Sequence, residues 1–240
     1  MIARDGGPLT QEELDDLRGE SRWPSTLALL VAIVVPLLLP DRFSLAPKWV
    51  GPAVMALLLV TYTIVDPGRI DRRSRAARAT GIGLMAVLVV AATTQAIVLT
   101  VELVGGNKAL NNADALLSSG ALVWLNMIIA FTFVYWQVDG GGPAARVHRM
   151  AKYPALAFPE HMNPALAPPD WRPLFVDYLY LGLTNATAFS PTDVMPMRHW
   201  AKLTMGVQAL ISLTVLGLIV ARAVNILTRA QSLTPVTVVG

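Results

Sequence analysis

About six separate apolar runs, each near the thickness of a lipid bilayer, constrain this chain more than any other feature. They cover residues 25–40, 49–65, 79–104, 116–138, 173–190 and 198–228. At a rise of about 1.5 Å per residue, roughly 20 apolar residues carry a helix across the hydrocarbon core. A soluble domain has no use for so many runs of that length. Composition agrees: 54% of residues are hydrophobic, only 15% are charged, and the mean hydropathy is +0.53. The expected fold class is an all-α membrane protein with about six membrane segments. A soluble enzyme and a nucleic-acid binder are set aside, because the basic residues behind the +3 net charge lie mostly between the runs, where topology accounts for them. The absence of cysteine excludes a disulfide, a thiol nucleophile and a thiolate metal site. His148, His161 and His199 are too scattered for a histidine cage.

The runs divide the chain into five parts. Residues 1–24 are polar, and Thr10 with Glu13 forms a capping-box pattern that predicts a short helix. That stretch is too long and too acidic for a signal-peptide n-region, so the first apolar run is expected to remain in the protein. Residues 25–138 hold four transmembrane helices, the first two a hairpin. Residues 139–172 form a Pro-rich ordered loop, 173–228 the last two segments, and 229–240 a C-terminal tail.

Arg69, Arg72, Arg73, Arg75 and Arg78 crowd one short loop, which the positive-inside rule sends to the cytoplasm. Six full crossings add Arg4, Arg18, Arg22, Arg146, Arg149, Lys152, Arg172 and Arg229 to that side and leave Arg42, Lys48, Lys108 and Arg198 outside. The expected location is a bacterial inner membrane with both termini cytoplasmic. These arginines read first as topology signals and second as anionic-lipid contacts. Trp124, Trp136 and Trp171 are expected to anchor at the interface, and Gln95 and Asn126 to bond between helices.

The stretch that carries the chemistry is 177–196. Its first half is apolar and helix-compatible, whereas beyond Thr184 it becomes rich in Thr, Asn, Ser and Pro at what should be membrane depth. Ser190-Pro191 turns the backbone away from the α region. Irregular backbone survives in a bilayer only where protein buries it or it lines water. Small hydroxyl residues beside one carboxylate, Asp193, are oxygen ligands suited to hard cations such as Na⁺ and Ca²⁺.

From Asp177 through Asn225 the chain resembles the pore helix, selectivity filter and inner helix of the potassium-channel-like pore-loop superfamily. The matching residues are Thr184 and Thr187 at the end of the pore helix, then Asp193 and Pro196, with the last helix at the usual distance. The resemblance implies a pore-helix-like fifth segment supported by Thr184, Asn185 and Thr187. It also implies a filter-like loop of Phe189, Ser190, Pro191, Thr192 and Asp193, beginning at Ala188. Both glycines of a potassium filter are missing, so a shorter, wider filter is expected. Ser190, Thr192 and Asp193 would be its metal ligands, favouring divalent cations or a mixture over potassium. Most of the chain also resembles an uncharacterised bacterial family of integral membrane proteins, a domain of unknown function. The residues are Leu38-Leu39-Pro40, Phe43, Pro47, Trp49, Phe158-Pro159, Asp177-Tyr178 and 190–194.

On the last helix, Thr204, Gln208, Ser212 and Arg222 share one face within about 80° at 100° per residue. That stripe lines a pore shared by several copies, or holds neighbouring helices together. Asp193 likewise reads either as a filter ligand or as a cap on the last helix. A full crossing by the fifth segment is expected, with 190–196 near the outer face. The alternatives are a loop re-entering from the cytoplasm and an arginine loop that lies outside.

The expected function is a homo-oligomeric cation channel without catalytic chemistry or a resident cofactor, passing a cation such as Ca²⁺ or Na⁺. Its partners are other copies of itself, membrane lipid and the ion, with no nucleic acid. A secondary transporter using a discontinuous helix, or a non-conducting scaffold, is the alternative.

Overall fold

The computed structural model describes residues 19–43, 47–65, 69–70, 74–105, 113–148, 154–163, 165, 167, 171–187 and 193–232. In chain order these form strand β1 (Glu20–Ser21), helix α1 (Trp23–Leu38), a 3₁₀ turn (Asp41–Phe43), α2 (Val50–Val65), β2 (Arg69–Ile70), α3 (Arg75–Gly105) and α4 (Ala113–Val138). Then come a 3₁₀ turn (Asp139–Gly141), α5 (Pro143–His148), β3 (Leu156–Ala157), α6 (Pro159–Met162), α7 (Phe175–Thr187), β4 (Met195–Pro196) and α8 (His199–Ser232). Three of these helices, α3, α4 and α8, are long and apolar enough to cross a membrane. Their outward faces carry exposed large apolar residues such as Val101 and Leu210, which fits an integral membrane protein whose solvent is lipid. α1 and α2 are equally apolar but have 16 residues each, about 24 Å of helix.

Local chemistry sets the ends of these helices. α1 begins with Pro24 in its first turn, where a missing N–H costs nothing, and stops at Leu39, held extended by Pro40. α4 runs out into Gly140, Gly141 and Gly142, all at positive φ, which lets the chain reverse tightly towards α5.

α4 is the centre of the bundle. It lies antiparallel to α3, as Asn126 Nδ2 donates to Gln95 Oε1 at 2.8 Å near mid-length and Arg78 donates to the Gly141 carbonyl at one end. The predicted interhelical role of Gln95 and Asn126 is therefore met by the two together. α1 starts at the same end, because Glu20 bonds there to Trp136 and Arg22 donates to the Tyr62 carbonyl that closes α2. β1 pairs antiparallel with β2, joining the chain before α1 to the arginine loop. At the opposite end Arg42 pairs with Glu102 at 2.9 Å, and Val35, Leu39, Leu103 and Leu116 share a core cluster.

The geometry departs from several expectations. The third helix opens at Arg75, so Arg75 and Arg78 belong to its first turns rather than to a loop. Residues 139–172 contain α5, β3 and α6. Trp136 is wholly buried in the core, not at an interface. The predicted N-terminal capping-box helix lies outside the described residues. Gly19 lies at the arginine-rich end, whereas α8 finishes at the other, beside the cluster that holds Leu103 and Leu116. The two described ends of the chain are therefore not on one side of the bundle.

Candidate functional site: the short helix α7 and its anchors

α7 has 13 residues, about 20 Å, and it does not carry the chain from one end of the bundle to the other. β3, which precedes it, pairs antiparallel with β4, which follows it: Leu156 opposite Pro196 and Ala157 opposite Met195. Phe158, one residue beyond β3, packs its ring 5.3 Å from that of Tyr178 in the first turn of α7. Both flanks of α7 therefore meet at the arginine-rich end. The rungs between α7 and α8 climb together, Gly182 with Gln208 and then Ala186 with Ser212, so the two helices run parallel. A helix that crossed fully would hand the chain to the far end and make α8 antiparallel to it. The full crossing expected for the fifth segment is replaced by a helix that enters and a chain that comes back.

The entering end is held by buried polar groups. Glu20 accepts the Phe175 N–H with one carboxylate oxygen and the Trp136 indole N–H, at 3.0 Å, with the other. A carboxylate at a helix N-terminus meets both a free N–H and the positive end of the dipole. Burial nonetheless pushes the Glu20 carboxyl above its ordinary range, against the pull of those two bonds and of Arg146 and Arg172. Asp177 reaches back to the Leu174 N–H at 2.7 Å, and Tyr178 donates to Asp139 Oδ2 at 2.7 Å. Arg146 closes the end of α4 by donating to the carbonyls of Trp136 and Asp139, both at 2.7 Å, with its guanidinium 4.7 Å over the Tyr178 ring. Phe133, Trp136 and Phe175 stack edge-on or tilted at 5.1–5.6 Å and exclude water from these bonds.

The inner end is held by the polar stripe of α8. Gln208 Nε2 donates to the Gly182 carbonyl at 2.7 Å, and its Oε1 accepts from Tyr135 at 2.7 Å and from Asn185 at 2.8 Å. Asn185 also donates to the Met205 carbonyl at 3.0 Å. Ser212 donates to the Ala186 carbonyl at 2.6 Å while accepting from the Trp124 indole at 2.8 Å. Ala186 belongs to the last turn, whose carbonyls have no partner within the helix, so Ser212 supplies one that lipid could not. α4 can approach α7 closely only because residue 182 is glycine. A Cβ there would lie 2.5 Å from Thr132 Oγ1 and 3.3 Å from the Ile128 carbonyl.

Of the residues singled out by sequence, Gln208 and Ser212 are buried inside the chain, and Asn185 bonds to α8 beside them. Thr204 is half-buried. Thr184 and Thr187 turn their hydroxyls back to carbonyls of their own helix. Asp193 is exposed at the arginine-rich end, next to buried Val194. Phe189, Ser190, Pro191 and Thr192 lie outside the described residues. Among the described residues no three His, Asp or Glu side chains are grouped to hold a metal ion. Glu102 is paired with Arg42 and Asp177 caps α7. Sequence reasoning passed over Glu20 and Asp139, and read Arg146 only as a topology signal. Nothing local marks them, since their partners are 155, 39 and 10 positions away.

The fold is thus a helical bundle of membrane character with one short helix that ends inside it. Comparison with known protein families, characterised proteins and solved structures found no match.

Proposed function

We propose that this chain is the pore-forming subunit of a homo-oligomeric cation channel. Its pore module is α4, α7 and α8, with residues 189–193 as the narrow, oxygen-rich passage. One observation carries the reading: α7 enters from one end, stops within the bundle and returns to the same end before α8 begins parallel to it. Such a helix aims its carbonyl terminus, the negative end of the dipole, at the segment that follows, where a partly dehydrated cation gains most from it. Asp193 stands at the mouth, and copies around an axis would gather its carboxylates into a ring selective for Ca²⁺ or other divalent cations over K⁺.

Gln208 and Ser212 are engaged with α7, so the open face of α8, carrying Gly206, Leu210, Thr214 and Gly217, is the one available to the axis or to a neighbouring copy. If the arginine-rich end is cytoplasmic, as the positive-inside rule requires, the loop re-enters from the cytoplasm of a bacterial inner membrane. The test is planar-bilayer recording of purified protein and of Asp193→Ala. Loss of the preference for divalent over monovalent cations is expected in the variant, and an unchanged permeability ratio rejects Asp193 as the selecting group.

A further inference from the structure

We infer that a cavity at the arginine-rich end is a binding site for a phosphate oxyanion of the kind an anionic lipid headgroup carries. The cavity, about 340 Å³, lies between the end of α2, the start of α3, the end of α4 and α5. That volume is at the small end for a ligand site and suits a headgroup rather than a whole lipid. Four observations give it its chemistry. Ser74 caps α3, its hydroxyl accepting the Ala77 N–H at 2.9 Å, which leaves the N–H groups of Arg75 and Ala76 beyond reach of the helix's own carbonyls. They sit at the positive end of a 31-residue helix. Arg75 and Arg78 line the same space, and among the described residues no acidic side chain lines it.

Gln137 supplies the independent sign of a ligand. It is 6% exposed, it lines the cavity, and its side-chain amide bonds to nothing among the described residues. That leaves its amide free to bond to whatever fills the cavity. Its N–H₂ group can donate to an anion that the arginines and the helix terminus attract. The remaining wall is apolar, with Ile70, Ala77, Pro143 and Ala144 beside the ring of Tyr62, as expected where glycerol and the first acyl carbons adjoin a headgroup. All of these residues lie at one end of the bundle, at the depth where headgroups would lie around the spanning helices.

The test is thermal unfolding of the full chain in neutral detergent, with phosphatidylglycerol, phosphatidylcholine or inorganic phosphate added separately. Arg75→Gln and Gln137→Leu are the variants. Arg75 is exposed and makes no side-chain bond among the described residues, while Gln137→Leu keeps the volume of its site. Arg78 is left intact because it bonds to Gly141. Phosphatidylglycerol should raise the midpoint of the natural protein by about 5 °C more than phosphatidylcholine does. Each variant should lose at least half of that rise. An equal rise with inorganic phosphate alone keeps the site and makes its ligand the free anion. No rise with either anion, or a rise that survives both substitutions, overturns the assignment.

Discussion

Gln208 donates to the Gly182 carbonyl at 2.7 Å, and that bond sets two helices parallel that a simple up-and-down bundle would have set antiparallel. The same amide oxygen accepts from Tyr135 and Asn185, so one side chain on α8 fastens α4 and α7 together. Gln208→Leu leaves the buried Gly182 carbonyl and Tyr135 hydroxyl, and the half-buried Asn185 amide, without that partner. It should lower stability by about 1–3 kcal/mol. Unfolding followed in detergent checks this, with Val207→Ala on the exposed neighbouring position as the control that should change little.

Close approach of α7 to α4 rests on Gly182. Gly182→Ala places a methyl against Thr132 Oγ1 and should cost about 1–3 kcal/mol. Thr132→Ala removes the obstructing hydroxyl, so the double variant should recover part of the loss. Purely additive effects in that double-mutant cycle would contradict direct packing.

Glu20 makes the anchor of α7 sensitive to pH. Its carboxyl sits above the ordinary value of 4.5 because burial disfavours the charge, so the folded chain holds that proton more tightly than the unfolded one. The stability this contributes is full below about 4.5 and is lost as pH rises through the folded value. Other carboxylates also titrate there, and Glu20→Gln isolates the effect. The natural protein's advantage over the variant should shrink as pH rises from 4 towards 7; growth of that advantage over the same range would falsify the assignment.

Much of the helical framework was legible, because lipid selects for apolar length and apolar length is visible residue by residue. Five of the six runs became helices of nearly the expected span, and Gln95 with Asn126 followed from the cost of a lone amide in an apolar helix. The direction of α7 was not legible. Its first half, Phe175 to Leu183, has the hydropathy of the start of any crossing helix, and what turns the chain back is the pairing of residues 156–157 with 195–196, which no local pattern encodes. Gln208 and Ser212 share one face of α8, as their four-residue spacing implies. Which surface that face meets depended on where α7 went. Glu20 was hidden for a related reason: a carboxylate in a polar stretch looks solvated until its partners, Phe175 and Trp136, are brought to it.

The same geometry makes a prediction about sidedness that owes nothing to conduction. The chain has no cysteine, so single cysteines can be introduced and labelled without background. Met162, before α7, and Met197, after it, are both exposed and both lie at the arginine-rich end, whereas Trp49 is exposed at the other end. In intact inverted or right-side-out vesicles, Met162→Cys and Met197→Cys should therefore react with an impermeant maleimide from one and the same side, and Trp49→Cys from the opposite side. A full crossing by residues 175–187 predicts instead that Met162→Cys and Met197→Cys label from different sides. Modest exposure of about half of each side chain suffices for reaction, and replacing an exposed methionine removes no buried contact, so all three variants should fold. Labelling of the two methionine positions from opposite sides would remove the returning helix, and with it the observation on which the pore rests.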